Sequence, residues 1–330
     1  MRMLTRYLET GSTDPCWNLA VEQYVLEHKT QGDWLMLWQN RNTVVVGCNQ
    51  NTLEEIDPDF VRQHGITVVR RMTGGGAVYH DLGNLNYSFI TDLGDSAALS
   101  IRRFTEPVCR ALAALGVTAE TSGRNDILVD GKKVSGVAQR IYGGRVLHHG
   151  TLLFDSDSAM IAGSLRADPS KFASKSTKSV RSRVGNLREY LPEGVDMAGF
   201  WAALLGELAA DGFERQTLTE EELAQVRKLA EEKYRSWEWT YGRAPDYSFK
   251  NRRRFAGGTL EVRMDAHAGR IREIAFLGDY MAADANDALC AALRGVPAEA
   301  GAIRQVLSQF DLSTLFGGIS EEEILETILR

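Results

Sequence analysis

Arg70-Arg71-Met72-Thr73-Gly74-Gly75-Gly76-Ala77-Val78-Tyr79-His80-Asp81 constrains this chain more than any other stretch. Each glycine loses more backbone freedom on ordering than any other residue, so three in a row imply a conformation that needs them. Such a backbone passes close to a bound group and can turn successive N–H donors toward an anion. A β-rich run, Ile66-Thr67-Val68-Val69, leads into the two arginines. Side chains alternate along a strand, so only one of Arg70 and Arg71 can look into the loop. Beyond the glycines, Asp81-Leu82-Gly83-Asn84 signals a turn and Leu85-Asn86-Tyr87-Ser88-Phe89-Ile90 reads as a strand. The pattern predicts an antiparallel pair whose connecting glycines cradle a phosphate or carboxylate. No Gly-Lys-Ser/Thr follows, which excludes a Walker A loop, and the strand in place of a helix excludes a dinucleotide fingerprint. A glycine-rich hairpin without a ligand is the alternative; the flanking arginines and His80 turn the reading toward an anion site.

A second informative stretch is Asn125-Asp126-Ile127-Leu128-Val129-Asp130-Gly131-Lys132-Lys133-Val134-Ser135-Gly136. Asp130-Gly131 is a strong signal for a two-residue type I′ turn. With these residues in the turn, Val129 faces Lys132, Leu128 faces Lys133 and Asp126 faces Ser135. Asp126, Leu128, Lys133 and Ser135 then share one face, with Asp126 diagonal to Lys133. Lys132 points away to solvent. A lysine held beside a carboxylate stays charged and aimed, which suits it to negative charge developing on a phosphoryl or acyl oxygen. The alternative is a surface ion pair worth about 0–1 kcal/mol. In His148-His149-Gly150 the adjacent strand residues point to opposite faces, so both cannot ligate one metal ion. His149 is expected to face the pocket. The basic, hydroxyl-rich residues 171–183 read either as a lid over a phosphate or as a solvated loop.

The remaining organisation predicts an α+β fold in two domains, residues 1–245 and 246–330. Turn formers cluster at the boundary, Tyr241-Gly242-Arg243-Ala244-Pro245-Asp246. Asp14-Pro15 reads as an N-cap and first helical residue, followed by one apolar face of Trp17, Leu19, Ala20, Tyr24 and Val25. Strands are expected at 35–38 and 43–47, helices at 100–115, 200–210 and 220–233, and hairpins at 126–139 and 139–154. In the small domain, strands 258–262 and 271–277 flank a turn at 265–269, and helices follow at 286–293, 303–310 and 321–329. A formal net charge of −6 argues against nucleic acid as a partner. Cys16, Cys48, Cys109 and Cys290 are scattered, which suggests neither a disulfide framework nor a zinc site. There is no signal-peptide pattern and no apolar run of membrane-spanning length, so a cytoplasmic setting without a membrane partner is expected.

Taken together, these stretches resemble lipoate–protein ligases of the bacterial long form. The resemblance is carried by Asp14-Pro15-Cys16-Trp17-Asn18-Leu19-Ala20-Val21-Glu22, by residues 70–84, and by Arg124-Asn125-Asp126 and Lys133-Val134-Ser135-Gly136. It continues through His148-His149-Gly150-Thr151-Leu152-Leu153, Ser179-Val180-Arg181-Ser182-Arg183-Val184 and Ser236-Trp237-Glu238-Trp239, covering nearly the whole chain. It implies a large biotinyl/lipoyl ligase-type catalytic domain with mixed and antiparallel sheets and flanking helices, plus a small α+β C-terminal accessory domain. The implied activity has two steps, with ATP as substrate and Mg²⁺ assisting. Lipoate attacks the α-phosphate, giving lipoyl-adenylate and pyrophosphate. The lipoyl group then passes to one lysine of an apo lipoyl domain in 2-oxoacid dehydrogenase complexes or of the glycine-cleavage H protein.

The resemblance assigns Lys133 to catalysis, touching both the lipoyl carbonyl and the α-phosphate. It places Arg71, Gly76, Ala77, Val78, Tyr79, Lys133 and Asp126 around the nucleotide. Arg71, Thr73, Gly74, Gly75, His80, Lys133, Ser135 and His149 would border lipoate, and residues 171–183 would close over the adenylate. Metal ligands are not assigned. The acyl tail needs an apolar slot, expected from Trp38, Val45 and Leu152, with each buried methylene contributing about 0.8 kcal/mol. Cys48 stands where many family members carry a basic residue, which weakens any anion-binding role at that position. One rival is an ATP-independent octanoyl or lipoyl transferase of the same superfamily working through a cysteine thioester. No cysteine lies between Lys133 and Gly185, however, and Cys109 falls in an expected helix. A non-catalytic lipoyl-carrier binder is the other rival.

Overall fold

Fourteen strands and the helices between them are resolved in a computed structural model, which describes residues 5–94, 101–122, 126–166, 184–242, 249–267 and 269–329. In chain order the strands are β1 (Thr5–Glu9), β2 (Trp34–Trp38), β3 (Thr43–Val46), β4 (Thr67–Arg70), β5 (Val78–His80), β6 (Asn84–Asp92) and β7 (Glu120–Ser122). They continue as β8 (Asp126–Val129), β9 (Lys132–Tyr142), β10 (Arg145–Leu153), β11 (Phe213–Gln216), β12 (Phe249–Phe255), β13 (Gly258–His267) and β14 (Arg270–Gly278). Eight of them form the main sheet in the order β11-β1-β2-β6-β10-β9-β8-β7, and β4-β3-β5 and β12-β13-β14 form two smaller sheets. Strand β1 runs parallel to β11 and β2, and β2, β6, β10 and β9 pair antiparallel, so the main sheet is mixed, as expected. Sequence pattern did not reveal β1, β7, β11 or β12.

Both faces of the main sheet are covered, and side-chain alternation sorts the strands onto them. Leu35 and Leu37 of β2, Leu85 and Tyr87 of β6 and Leu152 of β10 face the helices Ile101–Ala114 and Met197–Leu208. The neighbouring positions Met36, Trp38, Ile90 and Leu147 face the helix Pro15–His28, together with Val45, Val69 and Met72 of the small sheet and its following loop. Leu152 therefore belongs to the opposite core from Trp38 and Val45. The three do not line one slot.

The helix Pro15–His28 starts as the sequence predicts: Asp14 caps it by accepting from the Cys16 N–H at 3.0 Å, and Pro15 follows. Its burial differs from expectation. Not one face but nearly the whole surface from Pro15 to Leu26 is buried, because the main sheet lies on one side and the helix Glu220–Leu229 with its continuation Ala230–Tyr234 on the other. Two polar residues one turn apart, Asn18 and Glu22, are thereby enclosed.

The glycine stretch is not the hairpin that the pattern suggests. Strand β4 pairs parallel with β3 and β5 pairs antiparallel with it, so residues 71–77 cross over β3. Neighbouring strands lie about 4.8 Å apart, and spanning two such steps needs a longer connection than a tight turn.

The helices Asp287–Leu293, Ala300–Leu307, Leu312–Phe316 and Glu321–Leu329 pack on β12-β13-β14 around Leu260, Val262, Phe276 and Phe316. The boundary expected at 245/246 lies outside the described residues, as do residues 171–183 and Arg124-Asn125. Among the described residues no helix is long and apolar enough to cross a membrane.

Candidate active site

The two adjacent arginines leave β4 in opposite directions, as strand alternation requires. Arg70, 1 % exposed, turns away from the glycines. It donates to the carbonyls of Gly47, Cys48 and Gln50 at 2.7, 3.1 and 2.7 Å, and to those of Trp239 and Thr240 at 2.8 and 2.9 Å. The Trp239 indole N–H returns a bond to the Arg70 carbonyl at 2.8 Å. Arg71, 6 % exposed, enters the loop. Its Nη2 donates to the carbonyls of Gly74 and Gly76 at 2.6 and 2.9 Å, its Nη1 to Val45 at 3.2 Å and its Nε to Thr73 Oγ1 at 2.9 Å. A planar fork with five N–H donors can hold several loop carbonyls at once, which an ammonium cannot do. Burial pushes the Arg71 pKa down to about 10, so the group stays charged near neutrality.

The loop needs glycine for two separate reasons. Gly75 takes φ +89°, a conformation hostile to L side chains. Gly47 lies so close that a Cβ there would sit 2.2 Å from the Gly75 carbonyl oxygen. Residues 47–50 brace the loop further, with the Cys48 N–H donating to the Thr73 carbonyl at 2.9 Å. The C-terminal unit also reaches this place. The Gly75 N–H donates to the Tyr280 carbonyl at 3.1 Å, and the Gly278 N–H to the Asn49 carbonyl at 2.8 Å. One donor expected to meet an anion is thus engaged by the chain itself.

The lysine hairpin turns at Asp130 (φ +49°) and Gly131 (φ +73°), with Val129 opposite Lys132 and Leu128 opposite Lys133, as predicted. The register then slips: Ile127 pairs with Ser135 and Asp126 with Gly136. The extra residue is a β-bulge on β9. Ser135, Val137 and Gly150 face the core of the helices Ile101–Ala114 and Met197–Leu208, whereas Ala138, Gly136 and His149 face the other way. By simple alternation Lys133 would join Ser135 in the core. The bulge moves it to the face of Asp126 and Gly136, where its Nζ lies 2.7 Å from Asp126 Oδ1. Ser135 itself is fully buried on the far face, so the expectation that it borders lipoate conflicts with its position. Lys132 is exposed and pairs with Glu189 at 3.0 Å.

Residues 184 and 185 run beside Lys133. Val184 forms a parallel bridge with Lys133, and the Gly185 N–H donates to the Lys133 carbonyl at 3.0 Å. Val184 also packs in the cluster that contains Ala77, Tyr79, Val44 and Val46.

His149 and His148 divide as alternation predicts. His149 faces the glycine loop: its Nε2 lies 2.8 Å from Thr73 Oγ1 and its Nδ1 2.9 Å from Glu22 Oε1. His148 faces the opposite core, stacked on Phe104, and burial lowers its pKa well below the ordinary histidine value. His80 is buried beside Trp38, with Nδ1 3.1 Å from Asn40 Nδ2. Burial, reinforced by the nearby Arg71 charge, holds its pKa down to about 3. Sequence reasoning missed Asn18, Glu22 and Asn40. Polar residues at i and i+4 inside an otherwise apolar helix were the available signal.

Residues 14–209 match the lipoyl protein ligase A/B catalytic domain, and residues 244–328 match the bacterial lipoate protein ligase C-terminus. The chain is 40% identical over 321 residues to lipoate-protein ligase LplJ of Bacillus subtilis, covering 96% of this chain and 97% of that one. Among solved structures, LipL1 of P. falciparum in complex with lipoate superposes with TM-score 0.79 at 22% identity over 98% of each chain. A bipartite lipoate protein ligase of Thermoplasma acidophilum, studied with its E2 lipoyl domain, gives TM-score 0.65 at 31% identity, covering 75% of this chain and all of that one. Lipoate-protein ligase A bound with ATP gives 0.63 at 29% identity, covering 73% and 99%.

Proposed function

The chain belongs to the lipoate–protein ligase family, and on that premise we propose that it activates lipoate with ATP and transfers the lipoyl group to a lysine of an apo lipoyl domain. In the first step a lipoate carboxylate oxygen bonds to the α-phosphorus while the bond to pyrophosphate breaks. In the second, the carrier lysine amine attacks the acyl carbon, the bond to AMP breaks and the amine loses a proton. The observation that carries this reading is the placement of Lys133. A bulge turns its ammonium to the outer face beside Asp126, and Val184, bridged to Lys133, belongs to the same apolar cluster as Ala77 and Tyr79 at the exit of the glycine loop.

Lys133 would meet the α-phosphate and the acyl carbonyl, where charge accumulates in both steps. Gly76, Ala77, Val78 and Tyr79 would line the nucleotide. Thr73, Gly74, Gly75, His80 and His149 would line the acyl chain, with Trp38 and Val45 as its apolar wall. Arg71 acts on the substrates by holding the loop carbonyls in place. Lipoyl domains of 2-oxoacid dehydrogenase complexes and the glycine-cleavage H protein are the proposed carriers, and the cytoplasm is the proposed setting.

Among the described residues no three ligating side chains converge. Mg²⁺ is commonly held by one or two carboxylates together with substrate phosphates, and that donor set fits a single carboxylate, Asp126, facing the same side as Lys133. Bound there, the ion would neutralise phosphate charge.

The test is incubation with lipoate, Mg²⁺-ATP and an apo lipoyl domain, reading pyrophosphate release and carrier mass. Stoichiometric pyrophosphate and a lipoylated carrier are expected. Carrier modification from an acyl-carrier donor without ATP would replace this reading by a transferase, and carrier binding without modification would replace it by a binder.

A further inference from the structure

A buried chain of hydrogen bonds runs from the glycine loop to the inner wall of the main sheet. The Arg71 Nε–H donates to Thr73 Oγ1 at 2.9 Å, and Thr73 Oγ1 lies 2.8 Å from His149 Nε2. His149 Nδ1 lies 2.9 Å from Glu22 Oε1, which also accepts from Ser88 Oγ at 2.6 Å; Ser88 Oγ in turn accepts from the Trp38 indole N–H at 2.9 Å. All six residues are less than a tenth exposed. The chain follows from register: Ser88 and His149 are directly paired across β6 and β10, and both point at the helix that carries Glu22.

With Glu22 accepting as a carboxylate, donor and acceptor types assign the hydrogens along this chain. A carboxylate only accepts, so His149 must carry a proton on Nδ1. In the neutral ring Nε2 is then an acceptor, and the Thr73 hydroxyl donates to it. That leaves the Thr73 oxygen lone pairs for the Arg71 Nε–H. Arg71 has no carboxylate within ion-pair distance among the described residues, and a buried charge without compensation is costly. Cys48 and, after it, Glu22 raise the Arg71 pKa against the effect of burial, and Glu22 is the acidic group at the far end of its chain.

We propose that Glu22 is a positioning residue which, through the Nδ1–H tautomer of His149 and through Thr73, orients Arg71 and thereby sets the conformation of residues 73–76. The consequence for ATP rests on reading that loop as the nucleotide cradle; the tautomer does not.

Two measurements on the full chain separate these. Long-range ¹H–¹⁵N correlation of the histidine rings should show His149 protonated on Nδ1 and bare on Nε2. Glu22→Gln supplies an amide that can donate as well as accept, and should move the proton toward Nε2. In the pyrophosphate assay Glu22→Gln should raise the KM for ATP about tenfold, the loss of one charge-assisted hydrogen bond, with transfer from preformed lipoyl-adenylate changed less than twofold. Thr73→Val cuts the chain at its centre: the tautomer should stay and the ATP KM should rise equally. The double variant should be no worse than either single one, because both break one chain. Wild-type His149 protonated on Nε2, an unchanged tautomer and KM in Glu22→Gln, or multiplying effects in the double variant would overturn the proposal. A wild type that shows the tautomer but no ATP-dependent activity would instead sink the functional reading alone.

Discussion

The glycine loop and the lysine hairpin each bring cations to one site, yet they use them in opposite ways. Arg70 and Arg71 are enclosed, and the bonds they form run to backbone carbonyls or to hydroxyls. Lys133 keeps 35 % of its side chain exposed and rests on one carboxylate. The difference is chemical. A guanidinium is a rigid, weakly hydrated fork that can order a loop of carbonyls, whereas an ammonium on a flexible stem is a point charge that can exchange one partner for another. Removing a cation from the loop should therefore cost stability, and removing it from the hairpin should cost rate.

The largest expected effect is at Arg70. Arg70→Ala removes a donor from five interior carbonyls, of which Gly47 and Thr240 keep a second bond from the Gln50 N–H and the Thr52 hydroxyl; with roughly 1–3 kcal/mol for each carbonyl left unsatisfied, it should destabilise the chain by more than about 4 kcal/mol in urea denaturation. A variant of ordinary stability that had lost only activity would break the comparison, since it would make this arginine a chemical group.

Next comes Lys133. Lys133→Ala should slow pyrophosphate release roughly a hundred- to thousandfold, while the denaturation midpoint shifts by less than about 1 kcal/mol, as for an exposed pair. Near-normal turnover would remove Lys133 from the mechanism and leave the hairpin as scaffold.

The smallest effect concerns pH and sharpens the account of the enclosed side. His80 is held near pKa 3 in the fold, against 6.5 for an unhindered histidine. Between those values the unfolded chain binds a proton that the folded chain refuses. Its contribution is therefore complete above pH 6.5 and is lost as pH falls toward 3. At pH 4.5 the penalty is roughly 3 kcal/mol. His80→Gln should flatten the fall in unfolding free energy between pH 7 and 4.5 relative to wild type, with His148, also lowered, contributing to the slope that remains. Equal slopes in both proteins would show that His80 accepts its proton in the folded state.

Much of this was legible locally. The Asp14-Pro15 helix start, the Asp130-Gly131 turn and the divergence of Arg70 from Arg71 and of His148 from His149 all follow from backbone preference or strict alternation. Such rules act over a few residues, so the sequence by itself determines their outcome. What lay beyond it depended on partners distant in the chain. Crossing β3, and not folding back, requires knowing that residues 43–46 lie between β4 and β5. The exposure of Lys133 hangs on one bulged residue, which no propensity marks and which reverses the face of everything on its far side. Glu22 looks like an ordinary helical glutamate until the helix is packed on all sides and Ser88 and His149 are brought to it across two strands. Local sequence sets where a chain turns and which side chains alternate; only the closed fold decides which face is inside, because burial is a property of the neighbours.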